Sequence, residues 1–272
     1  SPLNTILSSL RGTGERLAYV GLPCHVHGLR KLDAAGWKSG ARIGPVIGIY
    51  CGNNLFYEAT RVMLRKIGID RVEDVARLRY RDGDWPGSFT ARTRDGRTGS
   101  VPKLDFNQSI PFYVNRRCLF CIDLTNELAD VSVGDGWARE RPGEEGWSIV
   151  LARTPAGMKL VEAAERDGEI AVEEITTREA ESMHSHAFDL KKRGAFLRLR
   201  LWRGFGAATP RYDREAPDVP AGRRIEEILV SLQFRLCATA PARFLFRIAP
   251  VGALGRLFRL ARRVWMKRTA GR

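Results

Sequence analysis

Five cysteines stand in this chain of 272 residues, and four of them have the spacing to do metal chemistry. Cys118-Leu119-Phe120-Cys121 offers two sulfurs on one short turn. Cys24 follows the apolar run 17–21, and Cys51 follows the apolar run 46–50. Each stands where a helix is expected to begin, and a helix N-terminus favours thiolate over thiol. In a parallel sheet both would lie at the carboxyl edge, the usual ligand-binding edge of open α/β folds. Four thiolates brought together would make an S4 site. Such a site suits an iron–sulfur cluster or a structural zinc, and unconnected cysteines are the third reading. Cys237, between Leu236 and Ala238, reads as a packed small hydrophobe.

The elements that must position these sulfurs follow from periodicity. The runs 17–21 and 46–50 read as buried strands, and 25–32 and 56–67 as helices with apolar residues at helical spacing. Asn53 or Asn54 is a candidate cap for the second helix. Strand–helix–strand–helix with short loops predicts a parallel βαβ unit. From Arg77 the pattern alternates, with Asp95-Gly96 as a hairpin turn, so an antiparallel insertion is expected. Strands are predicted over 129–133, 147–152 and 170–175, with a helix opened by Thr154-Pro155. The fold class is therefore α/β: a partly parallel sheet with an antiparallel insertion, followed by a basic helical tail. The expected domains are 1–180 and a tail over 181–272, with a linker near 206–222.

Composition narrows the function classes. The apolar share of 44% excludes a mainly disordered chain, and the cysteines are too few for a disulfide scaffold. No uncharged apolar stretch reaches the roughly 18 residues of a conventional transmembrane helix. Ser1 opens the chain, Met63 is its first methionine, and the first residues do not read as a signal peptide. Sparse thiols favour a reducing, cytoplasmic compartment. The net charge of +14 suggests nucleic acid until it is divided along the chain. Residues 1–190 carry 25 basic and 26 acidic side chains, and residues 191–272 carry 20 and 5. Any partner inferred from charge is therefore a partner of the tail.

Longer motifs carry a family resemblance. Gly21-Leu22-Pro23-Cys24-His25-Val26-His27-Gly28-Leu29-Arg30 resembles the G-T-P-C-Q-x-x-G-L-R motif of the family of coenzyme F420-reducing hydrogenase/dehydrogenase beta subunits. Arg117-Cys118-Leu119-Phe120-Cys121-Ile122-Asp123 and the following residues through Asp130 resemble its R-C-x-x-C-x-D-x-T-x-x-x-A-D motif. Val131 to Trp137 is similar to its S-V-G-D-x-W continuation, and Tyr80 to Gly87 to its Y-R-x-x-x-W-P-G segment.

The resemblance implies an iron–sulfur flavoprotein oxidoreductase subunit. It would pass electrons between a 4Fe-4S cluster and FAD, and on to coenzyme F420 or a related organic acceptor. Carried over by motif, Cys24, Cys51, Cys118 and Cys121 would ligate the cluster. Pro23, Trp85, Thr125, Asn126, Asp130 and Asp135 would border the flavin, and His25 would act at the reacting centre. Two positions depart from the family, since its Thr is Leu22 here and its usual Gln is His25. The family's N-terminal part is expected to lie outside this chain. A redox partner subunit or a ferredoxin-like donor is implied. Against this stands a zinc-stapled, non-enzymatic binding module that docks through its basic tail.

The remaining features are weaker. His184 and His186 are two apart on an expected helix and cannot share a face as a metal pair. Gly134-Asp135-Gly136 is no phosphate-binding fingerprint. In the tail, Leu254, Leu257, Phe258, Ala261, Val264 and Trp265 fall on one helical face opposite several arginines. Residues 242–268 are thus a candidate for peripheral membrane contact or for docking on a partner. Nucleic acid is the poorer fit, because no reading module accompanies the charge.

Overall fold

The structure is a computed structural model that describes Gly14 and residues 16–37, 42–137 and 146–269. The labelled elements are β1 (Arg16–Gly21), α1 (Pro23–Ala34), β2 (Arg42–Ile49), α2 (Glu58–Lys66), β3 (Val75–Asp82), β4 (Ser88–Thr93) and β5 (Thr98–Pro102). They continue with α3 (Arg116–Leu119), β6 (Val131–Gly136), β7 (Trp147–Ala152) and α4 (Pro155–Arg166). Last come α5 (Thr177–Met183), α6 (Ala195–Gly204), α7 (Ala221–Cys237), α8 (Ala240–Ile248) and α9 (Val251–Thr269).

Two compact units result. The first takes the described residues up to 52, then 123–137 and 147–183; the second takes 53–122, 146 and 184–269. One division falls between Met183 and His184, and the antiparallel strands β3, β4 and β5 group with residues 184–269.

In the first unit the sheet order is β1-β2-β6-β7. β1 and β6 each run parallel to β2, and β7 is antiparallel to β6. The β1–β2 register shifts by one residue between Leu17 and Tyr19. Opposite that shift lies Pro45, which has no N–H to give the ladder, so the strand bulges there. Val26 and Leu29 of α1 are buried against Val46 and Ala129. Thr154 caps α4, its hydroxyl accepting from Gly157 N at 3.1 Å. The expected strand over 170–175 does not form. Ile170 and Val172 stay exposed, and among the described residues no neighbouring strand offers them a ladder.

In the second unit β3, β4 and β5 form an antiparallel sheet. Its core joins Met63 of α2, Phe89, Phe106 and Tyr113 to Phe246 of α8. Phe246 is buried and stacks on Phe112 with centroids 4.3 Å apart. The tail is therefore an integral wall of this unit, because a large aromatic ring from it completes the core. The apolar face expected on α9 is split: Leu254, Phe258 and Trp265 are half-buried, whereas Leu257 and Val264 face out. Gly255 sits closely against Asp105, and Arg259 pairs with that carboxylate, which turns the helix away from a purely apolar contact.

Charge is buried here as well. Between α5 and α6 lies a π-helical stretch, Asp189–Gly194. Asp189 pairs with Arg223 at 2.8 Å, and Glu227 bridges Arg223 at 2.8 Å and Arg198 at 2.5 Å. Burial raises the Glu227 carboxyl against the opposing pull of both guanidiniums, and burial likewise lowers Arg198.

Nearby, burial, then Arg262 and His184, draw the pKa of His186 down to about 4. The unfolded chain then binds a proton that the folded chain refuses, so stability present above pH 6.5 is lost as pH falls toward 4. A loss of about 2–3 kcal/mol across that window is expected. Chemical denaturation of wild type and His186→Phe at both ends of the window measures it; an equal pH slope in the variant would exclude His186 as the cause.

Candidate functional site

The first pair of sulfurs is set by strand register. Gly21 of β1 pairs with Gly48 of β2, and Cys24 and Cys51 each lie three residues farther along the chain. Both therefore leave adjacent parallel strands at the same carboxyl edge. Pro23 opens α1 and is buried, its fixed φ suiting a first helical position, so Cys24 enters the first turn of that helix. Cys51 is fixed by its backbone, its N–H donating to Leu124 O at 2.9 Å. His25, beside Cys24, is half-buried.

The segment from Asp123 to Asp130 is tied to the same edge. Asp123 accepts from Asn126 N at 2.8 Å and faces His27 Nε2 at 3.3 Å. Asn126 is fully buried with φ of 61°, and its side-chain amide donates to Gly21 O at 2.7 Å. A Cβ on Gly48 would lie 2.4 Å from the Asn126 side chain, so only glycine permits this approach. The Asn126 Oδ1 is buried with no hydrogen-bond partner.

Thr125 Oγ1 accepts from Arg153 at 2.7 Å. Asp130 accepts from Val46 N at 2.8 Å and from Thr154 Oγ1 at 2.9 Å, which binds β2 to the cap of α4. Asp135 lies on β6 opposite Ser148 of β7. Tyr50, against Gly134, has its phenol pushed up to about 12 by burial, with Arg153 pulling the other way.

The second pair of sulfurs lies in the other unit. Asn115 caps α3, its side chain accepting from Arg117 N at 3.0 Å. Cys118 and Cys121 share one turn, with Cys121 N donating to Cys118 O at 3.3 Å. Asn54 does not cap α2, which begins after Tyr57 without any side-chain cap. Its backbone N–H instead donates to Cys118 Sγ at 3.3 Å.

Both carbonyls between the cysteines are held from the C-terminal region. Arg198 Nε donates to Leu119 O at 2.6 Å, and Tyr212 donates to Phe120 O at 3.1 Å. Phe120 packs edge-on against Trp202 at 5.3 Å. Tyr212 stands in the stretch 207–220, which is neither helix nor strand. Trp85 ends the β3–β4 hairpin, with the Arg81 guanidinium 5.1 Å from its ring centroid and Gly146 packed against the ring. This unit also has an open cavity of about 430 Å³, whose walls include Asn54, Phe56, Tyr57, Thr60, Tyr80 and Lys103.

The structure therefore gathers Pro23, Cys24, His25, Cys51, Thr125, Asn126, Asp130 and Asp135 in the first unit, and Trp85, Cys118 and Cys121 in the second. Among the described residues, which include all five cysteines, there is no disulfide and no group of three or more metal-ligating side chains already close together. Arg198 and Tyr212 carry no sequence signal, and Asn54 carries only that of a helix cap. Only their contacts across the fold reveal them.

Comparison with known proteins gives the chain a family. Residues 14–178 match the family described as the C terminus of the beta subunit in coenzyme F420 hydrogenase/dehydrogenase. A subunit of the F(420)H(2) dehydrogenase of Methanosarcina mazei is 31% identical over 160 residues, covering 57% of this chain and 41% of that protein. The beta subunit of the coenzyme F420 hydrogenase of Methanococcus voltae is 31% identical over 156 residues, covering 55% and 50%. The chain thus spans about half or less of the length of these curated relatives. A solved F420-reducing NiFe hydrogenase complex from Methanosarcina barkeri overlaps with a TM-score of 0.48 at 19% identity, covering 72% of this chain and 65% of that one. More than half of the sequence matches the family, and the chain belongs to the family of coenzyme F420 hydrogenase/dehydrogenase beta subunits through that C-terminal region.

Proposed function

We propose that this chain is the cluster- and flavin-bearing part of an oxidoreductase subunit that exchanges electrons with coenzyme F420 or a related organic acceptor. The observation that carries the reading is the shared register of Cys24 and Cys51, which sets two sulfurs at one sheet edge. Cys118 and Cys121 supply two more, with an N–H already aimed at Cys118. Four thiols, none in a disulfide, fit a 4Fe-4S cluster by donor chemistry. The orphaned Oδ1 of left-handed Asn126 fits a neighbour that brings a donor, and FAD is the group the relatives' family suggests.

The division of labour follows from these residues. Cys24, Cys51, Cys118 and Cys121 hold the cluster, while Pro23, Trp85, Thr125, Asn126, Asp130 and Asp135 border the flavin. Bound together, cluster and flavin supply conversion between one-electron and hydride chemistry. His25, half-buried beside Cys24, would offer an imidazole hydrogen-bonding group next to that centre. Asn126, Thr125 and Asp130 are themselves tied to β1, Arg153 and β2, which fixes their orientation. The aromatic walls and the Lys103 ammonium of the cavity suit a flat, anionic ring system. The relatives named as hydrogenase and dehydrogenase subunits support a redox partner subunit or a ferredoxin-like donor.

Anaerobic purification followed by iron, acid-labile sulfide, zinc and flavin assays tests the reading. Iron with sulfide and flavin is expected. Zinc without sulfide would support a stapled binding module instead, and protein devoid of both iron and flavin would overturn the proposal.

A further inference from the structure

Helix α7 is built inside out. Its buried residues are Arg223, Glu227 and Ser231, one helical turn apart on one face. Its exposed residues include Ile225, Ile228, Leu229, Leu232 and Leu236, each between 49% and 60% accessible. At 3.6 residues per turn those five side chains fall within an arc of about 100°, opposite the charges. A helix facing water shows the reverse pattern. The same exposure continues on α8, with Phe244, Leu245 and Ile248, and on α9, with Leu257, Leu260 and Val264. Patches of this kind mark a binding surface.

The charges flanking these side chains select the occupant. After Glu227 the chain holds no Asp or Glu, yet it carries ten Arg and Lys from Arg235 to Arg272. On α9 the exposed Arg256, Arg263 and Lys267 form a stripe directly beside Leu257, Leu260 and Val264. Aliphatic side chains bordered by cations match the boundary between acyl chains and anionic headgroups. Among the described residues no single helix is long and apolar enough to cross a membrane. Helices α7 and α8 pass that test only together, and they are bent by 77°. A bend of that size suits helices lying in the interface. The face also lies beyond residue 178, where the family match ends.

We propose that the exposed aliphatic faces of α7, α8 and α9, with the basic stripe beside them, dock this protein on the surface of an anionic lipid bilayer. The inference does not depend on the cluster or the flavin.

Cosedimentation of the full chain with phosphatidylcholine vesicles, with and without phosphatidylglycerol, tests it. Binding is expected only with the anionic lipid and should weaken at high salt. The variant Leu229→Glu/Leu232→Glu changes exposed positions and should lose at least about tenfold in affinity while keeping its circular dichroism spectrum. Arg256→Gln/Arg263→Gln/Lys267→Gln should lose about 100-fold. Wild-type protein that ignores anionic vesicles would overturn the proposal, as would unchanged binding by the leucine variant. Self-association or protein capture abolished by that variant, without vesicle binding, would reassign the face to a protein partner and overturn it too.

Discussion

Glu227→Ala should lower the stability of the second unit by about 3–5 kcal/mol. Glu227 bridges Arg198 and Arg223, and all three side chains are at most 2% exposed. Forming such a network in place of apolar packing gains little, because desolvation offsets the attraction. Removing its central acid is different, since a guanidinium is then left buried without its counter-ion. Arg223 keeps Asp189, so the main loss falls on Arg198. Glu227→Gln keeps shape and one acceptor and should cost less than alanine, whereas Arg198→Met/Glu227→Met removes both charges together and should recover much of the loss. Urea midpoints order the three variants. A Glu227→Ala midpoint within experimental error of wild type would show that the network does not support the fold. The effect also reaches the cysteines, because the Arg198 guanidinium that pairs with Glu227 holds Leu119 O. Hydrogen exchange at residues 118–121 should quicken in Glu227→Ala.

That coupling marks the limit of what local sequence can convey. The carboxyl-edge positions of Cys24 and Cys51 were legible because two short apolar runs, each followed by a turn and a helix, specify a βαβ unit without outside help. The 118–121 turn and the antiparallel insertion were legible for the same reason. Arg198 and Leu119 stand 79 residues apart, and their hydrogen bond has no periodic signature. Arg223 and Glu227 form an i,i+4 pair that faces inward and leaves five aliphatic residues outside. Hydrophobic pattern alone points that helix the wrong way round. Ile170 and Val172 show the opposite failure, a strand-like composition with no edge to join. Strand preference is realised only when a partner strand supplies the hydrogen bonds. Phe246, one aromatic in a basic tail, gave no sign that it would complete a core built around Phe89 and Phe106.

Cys118→Ser should abolish the visible absorbance of the cluster, with iron and acid-labile sulfide falling together by about tenfold or more. The argument rests on sulfur. Iron in such clusters is held by soft thiolates, and a serine hydroxyl is a hard, weakly acidic replacement that does not ionise at neutral pH. At the site of the change the Asn54 N–H donates to Cys118 Sγ from 3.3 Å. Folding should survive. Cys118 is only half-buried, and its turn stays pinned through the Leu119 and Phe120 carbonyls. Cys237→Ser is the matched control: burial pushes that thiol up, toward the neutral form that binds metal poorly. Its spectrum should equal that of wild type. Tyr212→Phe divides positioning from ligation, since it removes one hydrogen bond to the turn while leaving all four sulfurs. It should keep the cluster but release iron to a chelator faster than wild type. If Cys118→Ser retains wild-type absorbance and iron while wild type is loaded, the ligand assignment fails even though the cluster itself stands. If wild type carries no iron, it is the cluster reading that fails.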